Sequence, residues 1–326
     1  MDNDLNETYI TLDGYVEIDQ YRYLYFMIMF TAYILILCIN STIVSLIVIH
    51  KTLHEPMYIF IAALLLNSVL LSTSLYPKLL TDVLSKKQII SYSACLFQWF
   101  AYYCVAFTEN LLLAAMAYDR YVSICKPLRY PTIMRKSKIC IFLVLAWLLP
   151  ACVFALSVGL SVDAKLCKFT FKGIICGSAV IKLHCVMSRL VYFYGFFIIF
   201  SLDILPVLFI LFTYTRILIL SCQSCREVRR KAAQTCLPHL LVLMNLTNFS
   251  WSMGFEVIVA RLDIDFTKIV RLIMTLQVIL YSPLFNPIIY GLKMKEIYKH
   301  VKRLFKLPPF LKPKTPSCPH FGVNKL

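Results

Sequence analysis

Seven long apolar runs, each bounded by charged or polar stretches, divide this chain. They fall at roughly 24–50, 58–81, 96–125, 139–161, 191–220, 237–259 and 268–291. A helix that crosses a bilayer needs about 20 mostly apolar residues, and every run is long enough. Backbone groups in lipid have to be satisfied within the segment, so runs of this length read as helices. Alternation at strand period is absent, which argues against a β-barrel. The pattern therefore predicts an all-α membrane protein, a bundle of seven transmembrane helices.

The polar stretches between the runs set orientation. The first 22 residues hold six acids and a single base, Arg22, whereas residues 293–326 hold nine Lys or Arg and a single acid, Glu296. The loop after the third run carries Lys126, Arg129, Arg135, Lys136 and Lys138; the loop after the fifth carries Arg226, Arg229, Arg230 and Lys231. Basic loops stay in the cytoplasm, so this distribution predicts a multi-pass membrane protein with its N-terminus outside. The expected organisation is an extracellular tail (1–23), a seven-transmembrane domain (24–291), an amphipathic helix (292–306) and a cytoplasmic tail (307–326). Residues 1–20 are acidic and lack an apolar core, so the first helix is expected to start insertion without a cleaved leader.

Composition agrees. Sixty per cent of the 326 residues are apolar or aromatic and 15% charged, against roughly 45–50% and 25% in soluble domains. The net charge of +16 is mostly a topology signal; no soluble domain remains to hold a nucleic acid, and no cofactor is implied. Lys293–Phe305 is basic and amphipathic, which makes anionic membrane lipids an expected partner. Asn6 begins a glycosylation sequon on the predicted outer side, whereas the sequons at Asn40, Asn245 and Asn248 lie inside predicted helices and are coincidental.

The third run ends in Met116-Ala-Tyr-Asp-Arg-Tyr-Val-Ser-Ile-Cys125, which sets Asp119 and Arg120 side by side where the helix meets a basic loop. Charges near a bilayer are costly and either pair or perform a task. This Asp-Arg-Tyr segment resembles that of rhodopsin-like G-protein-coupled receptors, and its flanks resemble odorant receptors. Three further motifs match in order: Leu53-His-Glu-Pro-Met-Tyr-Ile-Phe60, Lys231-Ala-Ala-Gln-Thr-Cys-Leu-Pro-His239 and Pro283-Leu-Phe-Asn-Pro-Ile-Ile-Tyr290. Leu75-Tyr-Pro-Lys-Leu79 and the Lys-rich loops look more like fish members of the family. The resemblance implies binding of a small odorant within the bundle and activation of a heterotrimeric G protein, of the stimulatory olfactory type that raises cyclic AMP.

Each motif also has a physical reading. Arg120 pairs with Asp119 at rest and is released when the helix ends separate, with Tyr121 completing the triplet. Pro287 removes a hydrogen bond from the seventh helix and Asn286 satisfies the freed carbonyl. Tyr214 and Tyr290 lie where their hydroxyls reach towards Arg120 through water. His239 either caps the resting contact with the third helix or makes a plain interhelical hydrogen bond. Where most such receptors have an acid in the second helix, this chain has Ser68 beside Asn67. Glu109 with Ser68, Asn67 and Asn286 either forms a sodium site or stays a protonated buried acid.

For the ligand, Trp99, Tyr102, Tyr103, Ala106, Phe107 and Asn110 form a stripe below Cys95. Such a stripe is either plain core or a binding wall, and the resemblance places the odorant pocket there. Asp203 is an intramembrane acid that either faces the cavity, favouring an amine, or pairs with a neighbouring helix. Thr247, Ser250, Trp251 and Gly254 in the sixth helix, Leu276 and Ile279 in the seventh, and His184 at the pocket mouth complete the candidates.

Cys95, Cys167, Cys176 and Cys185 lie on the outer side and allow three disulfide pairings. The resemblance implies Cys95–Cys176 and Cys167–Cys185. Cys222 and Cys225 lack two further ligands for zinc. A retinal protein is excluded because the middle of the seventh run has no Lys; a transporter would show repeats or broken helices. No HExxH, GxSxG or paired intramembrane aspartates suggest an enzyme. A non-olfactory receptor of the same fold is the main alternative.

Overall fold

A computed structural model of the chain describes residues 8–186, 189–223, 241 and 268–304. Within these residues the long helices are α1 (Ile18–Ile49), α2 (Pro56–Leu84), α3 (Tyr92–Cys125), α4 (Lys136–Val162), α5 (Arg189–Ile199), α6 (Leu205–Gln223) and α7 (Lys268–Lys293). A π-helical segment, Phe200–Ile204, joins α5 to α6, and the two form one continuous span. Six spans among the described residues are long and apolar enough to cross a membrane. Apart from residue 241, the predicted sixth span, 237–259, lies outside the described residues.

Every observed helix starts or ends beyond its apolar run, because polar residues at the ends continue the hydrogen-bond ladder. Pro56 opens α2 at a position where its missing N–H is not needed. Ser91 caps α3 by accepting from the Ala94 N–H. α3 is the most buried of the spans and α4 among the least. α4, α5 and α6 present rows of exposed Leu, Ile and Phe, as helices facing lipid do. A short basic helix, α8 (Lys295–Leu304), follows α7 and buries Ile297 against the bundle.

The N-terminal segment is more than a tail. Residues Tyr9–Leu12 form β1, the central strand of a three-stranded sheet with β2 (Ile89–Ser91) and β3 (Thr170–Phe171). β1 runs antiparallel to β2 with Ile10 opposite Ile90, and parallel to β3 with Leu12 opposite Phe171. Ile10 and Leu12 alternate inward and pack on Cys95, Cys176 and Val180. The chain then passes so close to the loop that a Cβ on Gly14 would sit 2.4 Å from the Gly173 carbonyl carbon. Only glycine fits there.

Two disulfides hold this lid. Cys95–Cys176 ties the start of α3 to the loop and Cys167–Cys185 closes the loop on itself. The Cys176 N–H also donates to Gln98 Oε1 at 2.9 Å, one turn down α3. An ion pair between Lys268 and Asp13 ties the N-terminal segment to the start of α7.

Candidate functional site

Below the lid, α3, α4, the loop and the α5 span enclose a cavity. Trp99, Tyr103 and Phe107 face it from α3, Phe154, Ser157 and Leu160 from α4, and Ser178 and Ile181 from the loop. Val191, Tyr194, Gly195, Ile198, Ile199 and Asp203 add to its wall from α5 and the π segment. Three rings form one continuous surface: Tyr103 lies 5.4 Å from Phe154 and 6.1 Å from Phe107, and Phe107 lies 5.3 Å from Phe154. The hydroxyl of Tyr103 donates to Ser178 Oγ at 3.1 Å and that of Tyr194 to the Val153 carbonyl at 3.0 Å. Both hydroxyls are thus already hydrogen-bonded to protein.

Asp203 owes its position to a local break in the helix. In the π segment the Leu205 N–H bonds to the Phe200 carbonyl five residues back, which inserts an extra residue into the turn. Pro206 then has no N–H to offer the Leu202 carbonyl four residues earlier. Asn110 Nδ2 bonds that carbonyl instead at 3.2 Å and also donates to Asp203 Oδ1 at 3.0 Å. Asp203 thus faces the cavity and pairs with a neighbouring helix at once, so the two sequence readings are not exclusive.

Not every expected residue reaches the cavity wall. Tyr102 is buried edge-on against Tyr103, with ring centres 5.1 Å apart. Ala106 and Ile279 are core residues and Leu276 packs beside them. Asn110 acts from behind, through Asp203. His184, expected at the pocket mouth, belongs to the lid: its Nε2 lies 3.0 Å from the Tyr92 hydroxyl. That hydroxyl spends its hydrogen on the Ser161 carbonyl at 2.6 Å, so His184 Nε2 carries the proton and donates. Burial lowers the His184 pKa below its ordinary value.

At the far end of α3, the Arg120 guanidinium pairs with the Asp119 carboxylate, with Nε 3.0 Å from Oδ2. Asp119 is wholly buried, and its second oxygen accepts from the Tyr130 hydroxyl at 2.8 Å. Tyr130 starts the single helical turn Tyr130–Ile133 in the loop after α3. Burial and the adjacent Asp119 push the Tyr130 phenol well above its ordinary pKa, so it stays a donor. Tyr121 is half-buried against the core, with Lys126 Nζ 5.9 Å from its ring centre. Tyr214 is buried in the core, and the Tyr290 hydroxyl points at Met116 Sδ, 3.9 Å away and one turn before Arg120.

Between cavity and ion pair lies a polar layer. Asn286 Nδ2 donates to Glu109 Oε1 and to Ser282 Oγ, both at 2.9 Å, and Ser282 donates to the same carboxylate. Asn286 therefore does not satisfy the carbonyl freed by Pro287. That carbonyl belongs to Pro283 and accepts from Asn40 of α1 at 2.9 Å. Ser68, expected beside Glu109, donates to the Leu64 carbonyl of its own helix at 3.2 Å, because a serine in a helix reaches its own backbone more readily than a neighbour. Asn67 donates to the Val105 carbonyl at 2.9 Å. Asn6, Cys225, His239, Thr247, Ser250, Trp251 and Gly254 lie outside the described residues.

Comparison with known proteins bears on this arrangement. The olfactory receptor family profile matches residues 29–307. The chain belongs to the olfactory receptor family. Human olfactory receptor 10K1 is 32% identical over 302 residues, covering 89% of this chain and 92% of the relative. Human olfactory receptor 51E1 is 32% identical over 308 residues, covering 93% and 95%. Human olfactory receptor 11A1 is 31% identical over 309 residues, covering 91% and 93%. The chain is accordingly a seven-helix, multi-pass membrane receptor that works with a small-molecule ligand and a G protein, and it is not an enzyme.

Sequence reading of this olfactory receptor missed Phe154, Ser157 and Leu160, because α4 is apolar on nearly every face and shows no periodicity to mark its inner side. It missed Tyr130 and Ser282, each a polar residue whose partner is distant or in a loop. A signal did exist for Tyr130: a tyrosine eleven positions after Asp119, beside Pro131, is placed to fold back beneath α3.

Proposed function

We propose that this chain is an odorant receptor of the plasma membrane, with its N-terminus outside, that binds a volatile or small soluble ligand in the cavity between α3, α4 and α5. Binding biases a two-state bundle only so far as the ligand prefers one state over the other. In the resting state Asp119 holds Arg120, and Tyr130 holds Asp119. Ligand contact with the upper half of α3 shifts this helix relative to α5 and α6, and the inner ends separate. Arg120 then leaves Asp119 and engages a heterotrimeric G protein of the stimulatory olfactory type, raising cyclic AMP. The basic residues of the loop from Lys126 to Lys138 and of residues 226–231 supply the rest of that docking face.

The observation that carries this reading is the pairing of Arg120 with a wholly buried Asp119 at the basic end of the same helix that lines the cavity. An acid and a base in that setting form a device with two arrangements, not a packing accident. The test is a screen of cells displaying the full chain, with an epitope added at the N-terminus. Antibody staining without permeabilisation checks the topology, and a ligand-dependent rise in cyclic AMP, absent from mock cells, checks the coupling. A receptor at the surface that recruits no G protein with any ligand of a broad volatile panel contradicts the reading.

A further inference from the structure

The cavity meets the outer surface of the bundle between α4 and α5. Phe154, Ser157 and Leu160 line it from α4 and step towards the lid end of that helix, with exposures of 3%, 6% and 40%. Leu160 also continues, at helical spacing, the row of exposed Leu149 and Leu156. The side chain at the edge of the cavity thus belongs to the lipid-facing row as well. Across the seam, the ring of Tyr194 stacks on Phe197 with centres 6.2 Å apart, and Phe197 is largely exposed. The aromatic wall therefore runs from the cavity out to the lipid face. Among the described residues one hydrogen bond crosses this seam, from the Tyr194 hydroxyl to the Val153 carbonyl.

The lid side is built differently. Ser178 and Ile181 of the loop lie over the cavity. The Ser178 N–H donates to the Tyr103 hydroxyl at 3.2 Å, and that hydroxyl donates back to Ser178 Oγ. The Cys95–Cys176 bridge anchors the loop beside them, and β1 packs on Val180. Next to Leu160, Ser161 is buried and its carbonyl accepts from the Tyr92 hydroxyl.

We propose that the ligand enters the cavity sideways, out of the lid-side leaflet, through the seam between α4 and α5. The proposal rests on the receptor reading for the claim that this cavity takes a ligand. Depth agrees with the route: α4 has 27 residues and is about 40 Å long, against about 30 Å of hydrocarbon. Leu160, close to the lid-side end at Val162, lies where hydrocarbon gives way to headgroups. Amphipathic rings settle at that level, so a neutral, weakly polar compound dissolved in the leaflet is concentrated at the mouth. It reaches the wall without displacing the disulfide-bonded lid. A charged solute is held back, because charge is costly in lipid.

The test uses a probe that cannot arrive from water: a phosphatidylcholine with a phenyldiazirine on its sn-2 chain near the headgroup, in nanodiscs holding the full-length receptor. Irradiation and peptide mass spectrometry locate the label. It is expected on Phe154 and Tyr103, each only 3% exposed, as well as on lipid-facing Phe197. Leu160→Trp fills the mouth and should lower the ratio of Phe154 to Phe197 label several-fold, whereas Leu160→Ala should raise it. Leu156→Trp, at a lipid-exposed position that is not among the described lining residues, should leave the ratio at the wild-type value.

Label on Phe197 with Phe154 and Tyr103 bare overturns the lateral route. So does a ratio unchanged in Leu160→Trp, or lowered equally in Leu156→Trp. Should Leu160→Trp fail to fold, the wild-type label at Phe154 and Tyr103 decides alone. None of these readouts needs a G protein. A ligand-dependent rise in cyclic AMP with a bare cavity leaves the receptor reading standing and removes the route. A labelled cavity in a receptor that never signals sustains the route and counts against the coupling.

Discussion

Asn40 of α1 donates its side-chain amide to the carbonyl of Pro283 in α7, 2.9 Å away and 243 positions along the chain. The bond exists because Pro287 has no N–H for that carbonyl. The same Nδ2 also bonds the Ile36 carbonyl at 2.8 Å, so one wholly buried amide joins the first helix to the bend in the seventh.

Replacing Asn40 with Ala leaves the Pro283 carbonyl buried and unpaired, at a cost of about 1–3 kcal/mol. The purified Asn40→Ala receptor should melt at a clearly lower temperature than wild type. An unchanged melting temperature would mean that water or another donor replaces the amide.

Asp119→Asn separates charge from hydrogen bonding at the inner end of α3. The amide oxygen still accepts from Tyr130, while the attraction to Arg120 is lost. Breaking a buried pair costs up to about 3–5 kcal/mol, and Arg120 keeps a tenth of its side chain exposed, which lessens it. The expected result is a several-fold rise in ligand-independent cyclic AMP at matched surface level. A basal signal equal to wild type would show that the pair does not hold the resting state.

The two disulfides close loops of different length, with sequence separations of 81 and 18. Loop-closure entropy makes the longer bridge worth more by about 1 kcal/mol. Cys95→Ser should therefore reduce surface expression and melting temperature more than Cys167→Ser does. It also loosens the sheet, since Ile10 and Leu12 of β1 pack on Cys95 and Cys176. Equal losses in both variants would mean that the lid behaves as one unit.

His184 makes the lid sensitive to acid. Burial depresses its pKa in the folded protein, so the folded state favours the neutral ring. Its contribution is present above the unfolded value near 6.5 and is lost as pH falls through the lower folded value. Melting of the wild type at pH about 7.5 and about 5.5 should differ more than melting of His184→Asn at the same two values. Identical pH dependence in the two proteins would remove His184 as the source.

Much of this was legible in the chain because lipid enforces it. Each apolar run among the described residues became a helix of nearly the expected extent, and Asp119 and Arg120 announced themselves as charges at a bilayer edge. Sequence was silent where a contact joins distant positions through a backbone group. Pro206 and Pro287 mark the Leu202 and Pro283 carbonyls as unpaired within their own helices, but nothing in the chain names their distant donors, Asn110 and Asn40. β1 is only four residues long, too short for alternation to stand out. The α4 wall of the cavity was hidden by uniform hydrophobicity, whereas Tyr103, Phe107 and Asp203 stood out against their neighbours.

The most direct test is cyclic AMP in cells displaying the wild type or Arg120→Ala at matched surface level, challenged with the same panel of amines, acids, alcohols and other volatiles. A ligand-dependent rise in the wild type alone is predicted. A response of equal size in Arg120→Ala would contradict the account, because the signal would then leave the bundle without the residue on which the coupling depends.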